Sequence, residues 1–271
     1  MGYTKKTLQE LDLIDNFLSN AIASNRELGE PFYRLLLSVL LGKELKTVRV
    51  LAQQVIPAAT PELRGIRMDV EITEYDEGTV TNIYDMEPHL RDGLHLPKHN
   101  RYYQAKIDGR YVKRGLKDFS EIPNLYVITI TNYDIFGRDY MMYTVRNKCE
   151  EIPDMEYDDG LQFIYFNTKG QKGGSQAIKN MLKYIQNSDS KNAVDDATRK
   201  IDYYVVSAEQ LKILINTEFS SIFCYNNCME QRYNRFIFLQ NSYKSQEMPC
   251  IRHQIKASPH YLILTSPSDS G

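Results

Sequence analysis

The chain has 271 residues, 33 Lys+Arg against 35 Asp+Glu and a formal net charge of -2, a length that at about 100–200 residues per domain fits one large domain or one domain with an appendage. A hydrophobic fraction of 42% with 25% charged residues is the usual globular mix and excludes collagen, coiled coil and wholesale disorder. The longest apolar run, near Leu35–Leu41, falls far short of the roughly 20 residues a membrane-spanning helix needs, Met1–Lys6 leads into no apolar segment, and four cysteines without a signal peptide point to a reducing, cytoplasmic setting.

In chain order, the pattern predicts a helix over 8–23 and a second helix opened by Pro31 and closed by Gly42, with Phe32, Leu35, Leu36, Val39 and Leu40 at helical spacing. From Ile66 to Ile72 apolar and charged residues alternate strictly, the mark of a strand with Ile66, Met68, Val70 and Ile72 on one face. Asp76-Glu77-Gly78 is a turn signal, and residues 79–87 read as the returning strand, stopped by Pro88. A basic helix over 100–114 follows, then strands near 125–130, 140–146 and 162–167, then a helix over 176–186 with Ile178, Leu182 and Ile185 on one side. This order predicts an α/β fold with a mixed sheet. The polar run Asn187–Asn192 opens a boundary zone ending near residue 207. Residues 208–271 carry only 6 bases and 5 acids, so the chain divides into a domain over 1–205 and an atypical tail over 206–271.

The chemistry concentrates in the hairpin. With the loop centred on Glu77 and Gly78, Asp69 lies opposite Asp85 or Glu87, with the other one diagonal. Opposed Cβ atoms in an antiparallel pair are about 4.5–5.5 Å apart. Carboxylates that close repel unless one is protonated or a cation lies between them. Mg2+, which takes hard oxygen ligands, fits such a group, and Mn2+ is its usual substitute. The alternative is a solvated sheet face, where Asp and Glu are ordinary.

Several fragments carry a resemblance. Arg64-Gly65-Ile66-Arg67-Met68-Asp69-Val70, Ile83-Tyr84-Asp85-Met86-Glu87 and Arg101-Tyr102-Tyr103-Gln104 resemble the Rpn family of recombination-promoting nucleases and transposases, in the PD-(D/E)XK nuclease superfamily. The resemblance runs from Leu13-Ile14-Asp15-Asn16-Phe17 to Phe166-Asn167-Thr168-Lys169-Gly170 and covers about residues 8–190. It implies a restriction-endonuclease-like mixed sheet flanked by helices and a Mg2+-dependent DNA endonuclease linked to recombination or mobile elements. Asp69 and Glu87 take the places of the metal carboxylates, and Asp15 that of a further acidic residue near the metal. His89 stands where the family carries Gln and related nucleases carry Lys, the position that polarises the attacking water; Pro88 intervenes. The alternative is a non-catalytic DNA-binding or interaction protein that keeps the nuclease fold.

Between Lys98 and Lys117 seven bases face a single acid, Asp108, and tyrosines are interleaved. Such a cluster attracts a phosphate backbone by counterion release. Arg101, Gln104, Lys106 and Arg110 are the expected DNA contacts, and the resemblance places this helix beside the metal. The alternative is a solvated helix face. Cys224, Cys228, Cys250 and His253 offer four zinc ligands at indistinct spacing, with incidental thiols the plainer reading. His95 and His99, flanking Pro97, read as loop residues.

Overall fold

A computed structural model of the chain describes residues 11–58, 60–90, 95–112 and 114–208. The expected tail lies outside them beyond residue 208, and with it Cys224, Cys228, Cys250 and His253.

The first helix, α1 (Asn16–Ala23), covers less than the expected span, because residues 11–15 are turn and irregular backbone ending at Asp15, which is extended and occupies the N-cap. Helix α2 (Arg26–Leu41) begins five residues before Pro31. Asn25 sets the start: its side chain accepts from the Leu28 N–H at 3.2 Å, satisfying a donor that the first turn leaves open. Pro31 then falls within the second turn, where its missing N–H leaves one carbonyl of the preceding turn without its partner. Gly42 closes α2 in the left-handed conformation, φ 64°. Helices α1 and α2 pack so closely that a Cβ on Gly29 would lie 2.8 Å from the Ile22 carbonyl oxygen.

Six strands form one mixed sheet: β1 (Thr47–Ala52), β4 (Val70–Asp76), β5 (Thr79–His89), β6 (Asn124–Thr131), β8 (Leu161–Asn167) and β7 (Met142–Val145), in that spatial order. Strands β1, β4 and β5 run as an antiparallel meander; β5, β6 and β8 are parallel, and β7 returns antiparallel at the edge. Helix α3 (Leu96–Tyr111) makes the crossover that parallel strands β5 and β6 require. Strands β2 (Val55–Ile56) and β3 (Ile66–Arg67) form a separate two-stranded ribbon.

The strand expected over 66–72 is therefore two strands. Ile66 and Met68 enter an apolar cluster with Ile83, Ile107, Leu125 and Val127, whereas Val70 and Ile72 enter the larger core. The alternation persists in sequence, but the chain leaves the β2–β3 ribbon and joins the main sheet between Met68 and Val70, so the four residues do not share a face. Strand β5 also runs through Pro88 to His89. Its partner β4 ends at Val70, opposite Met86, and a proline beyond that point costs the β4 ladder nothing.

Both faces of the sheet are covered. On one side lie α1, α2, α4 (Gln176–Gln186) and a helical run over 196–208, sharing a core of Leu18, Tyr33, Leu37, Val70, Ile72, Tyr84, Met86, Phe166, Met181 and Ile201. The polar run after α4 is thus no end of the domain: Ile201, Val205 and Ala208 are buried in the same core, and Asp202 accepts from Tyr184 and Ser190. On the other side α3 lies over the central strands and encloses the polar face of the hairpin. Strand β4 reads buried along its first five residues for that reason.

Candidate functional site

Glu77 and Gly78 adopt positive φ (48° and 84°), the two-residue turn that matches strand twist, and they set the register. Val70 pairs with Met86 and Glu71 with Asp85, which places Asp69 level with Glu87 and diagonal to Asp85. Glu71, Asp85 and Glu87 all point to the α3 side, opposite Tyr84 and Met86. They are not solvated: Glu71 is 3% exposed, Asp85 0% and Glu87 6%.

Helix α3 answers this face with one stripe. His99, Tyr103, Lys106 and Arg110 recur at three- and four-residue intervals and so share a side of the helix. Arg110 Nη2 lies 2.6 Å from Glu71 Oε2. The Tyr103 hydroxyl donates to the Arg67 carbonyl at 3.2 Å and is within reach of Glu87. His99 Nε2 stands 4.0 Å from Glu87 Oε2, and His89 Nε2 3.3 Å from the same oxygen. Among the described residues His89 Nε2 is buried with no hydrogen-bond partner, and so are Glu87 Oε1 and both carboxylate oxygens of Asp85.

The electrostatics follow from burial. Desolvation pushes the Glu87 carboxyl up to about 8, with Asp69 adding to the rise. Asp85 is raised well above the ordinary carboxylate range by desolvation and then by Glu87, Glu71 and Asp69. Asp69 is raised by partial burial, against the pull of His89 and Arg67. Burial lowers both His89 and His99, so the two rings are neutral at neutral pH.

The other expected residues take different places. Asp15 accepts from the Asp12 N–H at 3.1 Å, while its neighbour Asn16 reaches the site, its Nδ2 donating to Asp69 Oδ2 at 2.8 Å. Arg101 is exposed and lies two residues from His99, on the far side of the helix from the carboxylates. Gln104 donates to Asp108 and is turned the same way. Lys106 stands 5.6 Å from the Tyr102 ring centroid. Arg64 and Arg67 are exposed and close enough to act on His99, Tyr103 and Asp69.

The chain matches no family model, no curated protein and no solved structure. The site therefore stands on its own geometry.

His99 is the residue that sequence reading set aside. It is not in a loop: α3 starts at Leu96, with Pro97 in the first turn, where proline is tolerated. The available signal was spacing, since His99, Tyr103 and Arg110 fall on one helical stripe. Among the described residues no helix is long and apolar enough to cross a membrane.

Proposed function

We propose that this protein is a metal-dependent DNA endonuclease with a restriction-endonuclease-like fold. The observation that carries the reading is Asp85: a fully buried carboxylate between Glu71 and Glu87, both of whose oxygens lack a hydrogen-bond partner among the described residues. An unpaired buried carboxylate is costly unless it is protonated or meets a cation. Asp69, Asp85 and Glu87 supply oxygen donors of the kind a divalent cation needs, and Glu71 is already neutralised by Arg110. The acidic hairpin set in the middle of a mixed sheet under a helix agrees with the resemblance to the PD-(D/E)XK superfamily.

A divalent ion bound there supplies Lewis acidity toward a phosphodiester and lowers the pKa of a bound water. The chain's own residues do the rest. Asn16 holds Asp69 in orientation. His89 turns a neutral Nε2 toward Glu87, a lone pair that can either take a proton from water or bind the ion itself. Arg64 and Arg67 are exposed close to Asp69 and His99, where they can hold phosphate oxygens, and the exposed Lys98 and Arg101 extend the positive surface along α3.

Nicking of supercoiled plasmid with Mg2+ or Mn2+ tests this. Cleavage should fall to background in Asp69→Asn and in Glu87→Gln. Cleavage unchanged by both substitutions overturns the assignment. DNA binding without cleavage in any divalent ion supports the second reading, a DNA-binding protein that keeps the fold without the chemistry; the departure at His89 favours it.

A further inference from the structure

The geometry points to a first-row transition-metal ion, ligated by Glu87, His89 and His99, as the preferred cation of this site over Mg2+. This rests on the metal-site reading above and concerns which ion the site selects, not what it cleaves.

Three donor atoms, one from each residue, lie within 4.8 Å of one another. Two separations are shorter: 3.3 Å from His89 Nε2 to Glu87 Oε2 and 4.0 Å from His99 Nε2 to that oxygen. Tetrahedral ligands at about 2.0–2.1 Å from zinc stand roughly 3.3 Å apart. Closing the three atoms around an ion therefore takes side-chain shifts on the order of 1 Å, with no movement of β5 or α3.

The second support is the shell behind the ligands. His99 Nδ1 lies 3.2 Å from Asn100 Oδ1. Asn100 is itself buried, and its Nδ2 donates to Thr129 Oγ1 at 2.8 Å on β6. With the amide oriented by Thr129, its oxygen faces the ring, so Nδ1 carries the proton and Nε2 keeps its lone pair toward Glu87. Metal-ligating histidines use this arrangement, the far nitrogen donating to a fixed acceptor. The third support is a pair of orphaned atoms: Glu87 Oε1 and His89 Nε2 are buried and make no hydrogen bond among the described residues. Two neutral imidazoles and a carboxylate suit zinc, iron or manganese, whereas Mg2+ takes oxygen ligands and keeps its waters. Asp69 and Asp85 lie close by and are not needed as ligands.

The test uses the full chain, stripped with a chelator, and Co2+ as the probe. Co2+ should bind one per chain with visible absorption, leave on addition of equimolar Zn2+ and resist millimolar Mg2+. His89→Ala and His99→Ala should each weaken Zn2+ binding at least 10-fold, and Asn100→Ala about 10-fold through His99. Zn2+ affinity unchanged by both histidine substitutions, or Co2+ displaced by equimolar Mg2+, overturns the proposal. Wild-type protein gives a readout that no variant's folding can confound: Zn2+ should shift the ring-proton resonances of two histidines, and no shift overturns it. Zn2+ binding with no cleavage in any ion would sink the nuclease reading and leave this one. Mg2+-dependent cleavage with Zn2+ affinity indifferent to both histidines would do the reverse.

Discussion

Asp85 on β5 stands directly across the ladder from Glu71 on β4, and among the described residues Glu71 is the one of the two that forms an ion pair, with Arg110 Nη2 2.6 Å from its Oε2. Arg110 acts on Asp85 from a greater distance, without a bond to it. The pair divides the labour: Glu71 fixes α3 to the sheet, and Asp85 is left to be satisfied by a proton or by an ion.

Removing Arg110 takes the cation from buried Glu71 and leaves the Tyr111 hydroxyl, 3.5 Å from its Oε1, to meet it. Breaking a buried pair by taking one partner costs about 3–5 kcal/mol, and the partial exposure of Arg110 favours the lower end. Arg110→Ala should therefore destabilise by about 3 kcal/mol in urea denaturation. Glu71→Leu added to Arg110→Ala should recover most of the loss, and a double variant no more stable than the single one would refute the argument.

Glu87 gives the metal-free protein a pH dependence of defined sign. Its folded pKa, pushed up to about 8, is above the ordinary 4.5, so its contribution to stability is fully present below about 4.5 and is lost as pH rises through about 8. Asp85 acts in the same direction. His89 and His99, lowered by burial, act oppositely, but only below their ordinary value of 6.5. Between pH 7 and 8 the histidines no longer contribute and the carboxylates set the slope. Thermal melts in chelator should show Tm falling across that range, and the slope should flatten in Glu87→Gln or with a saturating divalent ion. A flat or rising Tm in the wild type would contradict the burial of these groups.

Gly29 sits where α1 and α2 cross, and its missing side chain is what allows the approach. A Cβ there meets the Ile22 carbonyl oxygen at 2.8 Å, so one helix has to move. Gly29→Ala should cost about 1–3 kcal/mol by urea denaturation, against the gain in helix propensity that alanine brings elsewhere. A stabilised variant would show that the crossing is looser than described.

Arg101 is exposed and away from the carboxylates, so its expected role is backbone contact and not chemistry. Arg101→Ala should weaken DNA binding similarly for all sequences and reduce the salt slope of log K by about 1, with Tm unchanged. An unchanged slope would remove this side of α3 from the DNA surface.

Local signals were enough for much of this architecture. Helix α4 follows from the spacing of Ile178, Leu182 and Ile185 and from Ser175, which caps it by accepting from the Ile178 N–H. The β4–β5 hairpin and its register follow from Glu77-Gly78, since a two-residue turn leaves little choice of pairing. The carboxylate group was legible for the same reason. Pro31 misled because proline marks a first turn only when no better cap precedes it, and Asn25 is the better cap.

What local signals lacked was the identity of whatever covers each face. Strict alternation across 66–72 specified two faces but not that the chain changes partners between Met68 and Val70, because pairing with β2 or with β1 is a non-local choice. A basic helix specified positive charge but not its rotation over the sheet. That rotation turned Arg110 onto Glu71 and His99 onto Glu87, and left Arg101 outside. Sequence by itself determined which residues carry charge and which neighbours share a strand or a helical stripe, since those depend on periods of a few residues. Only the tertiary structure decided that Asp85 is buried with no hydrogen-bond partner among the described residues and that two histidines ten residues apart meet on one carboxylate, because burial is set by packing between segments distant in the chain.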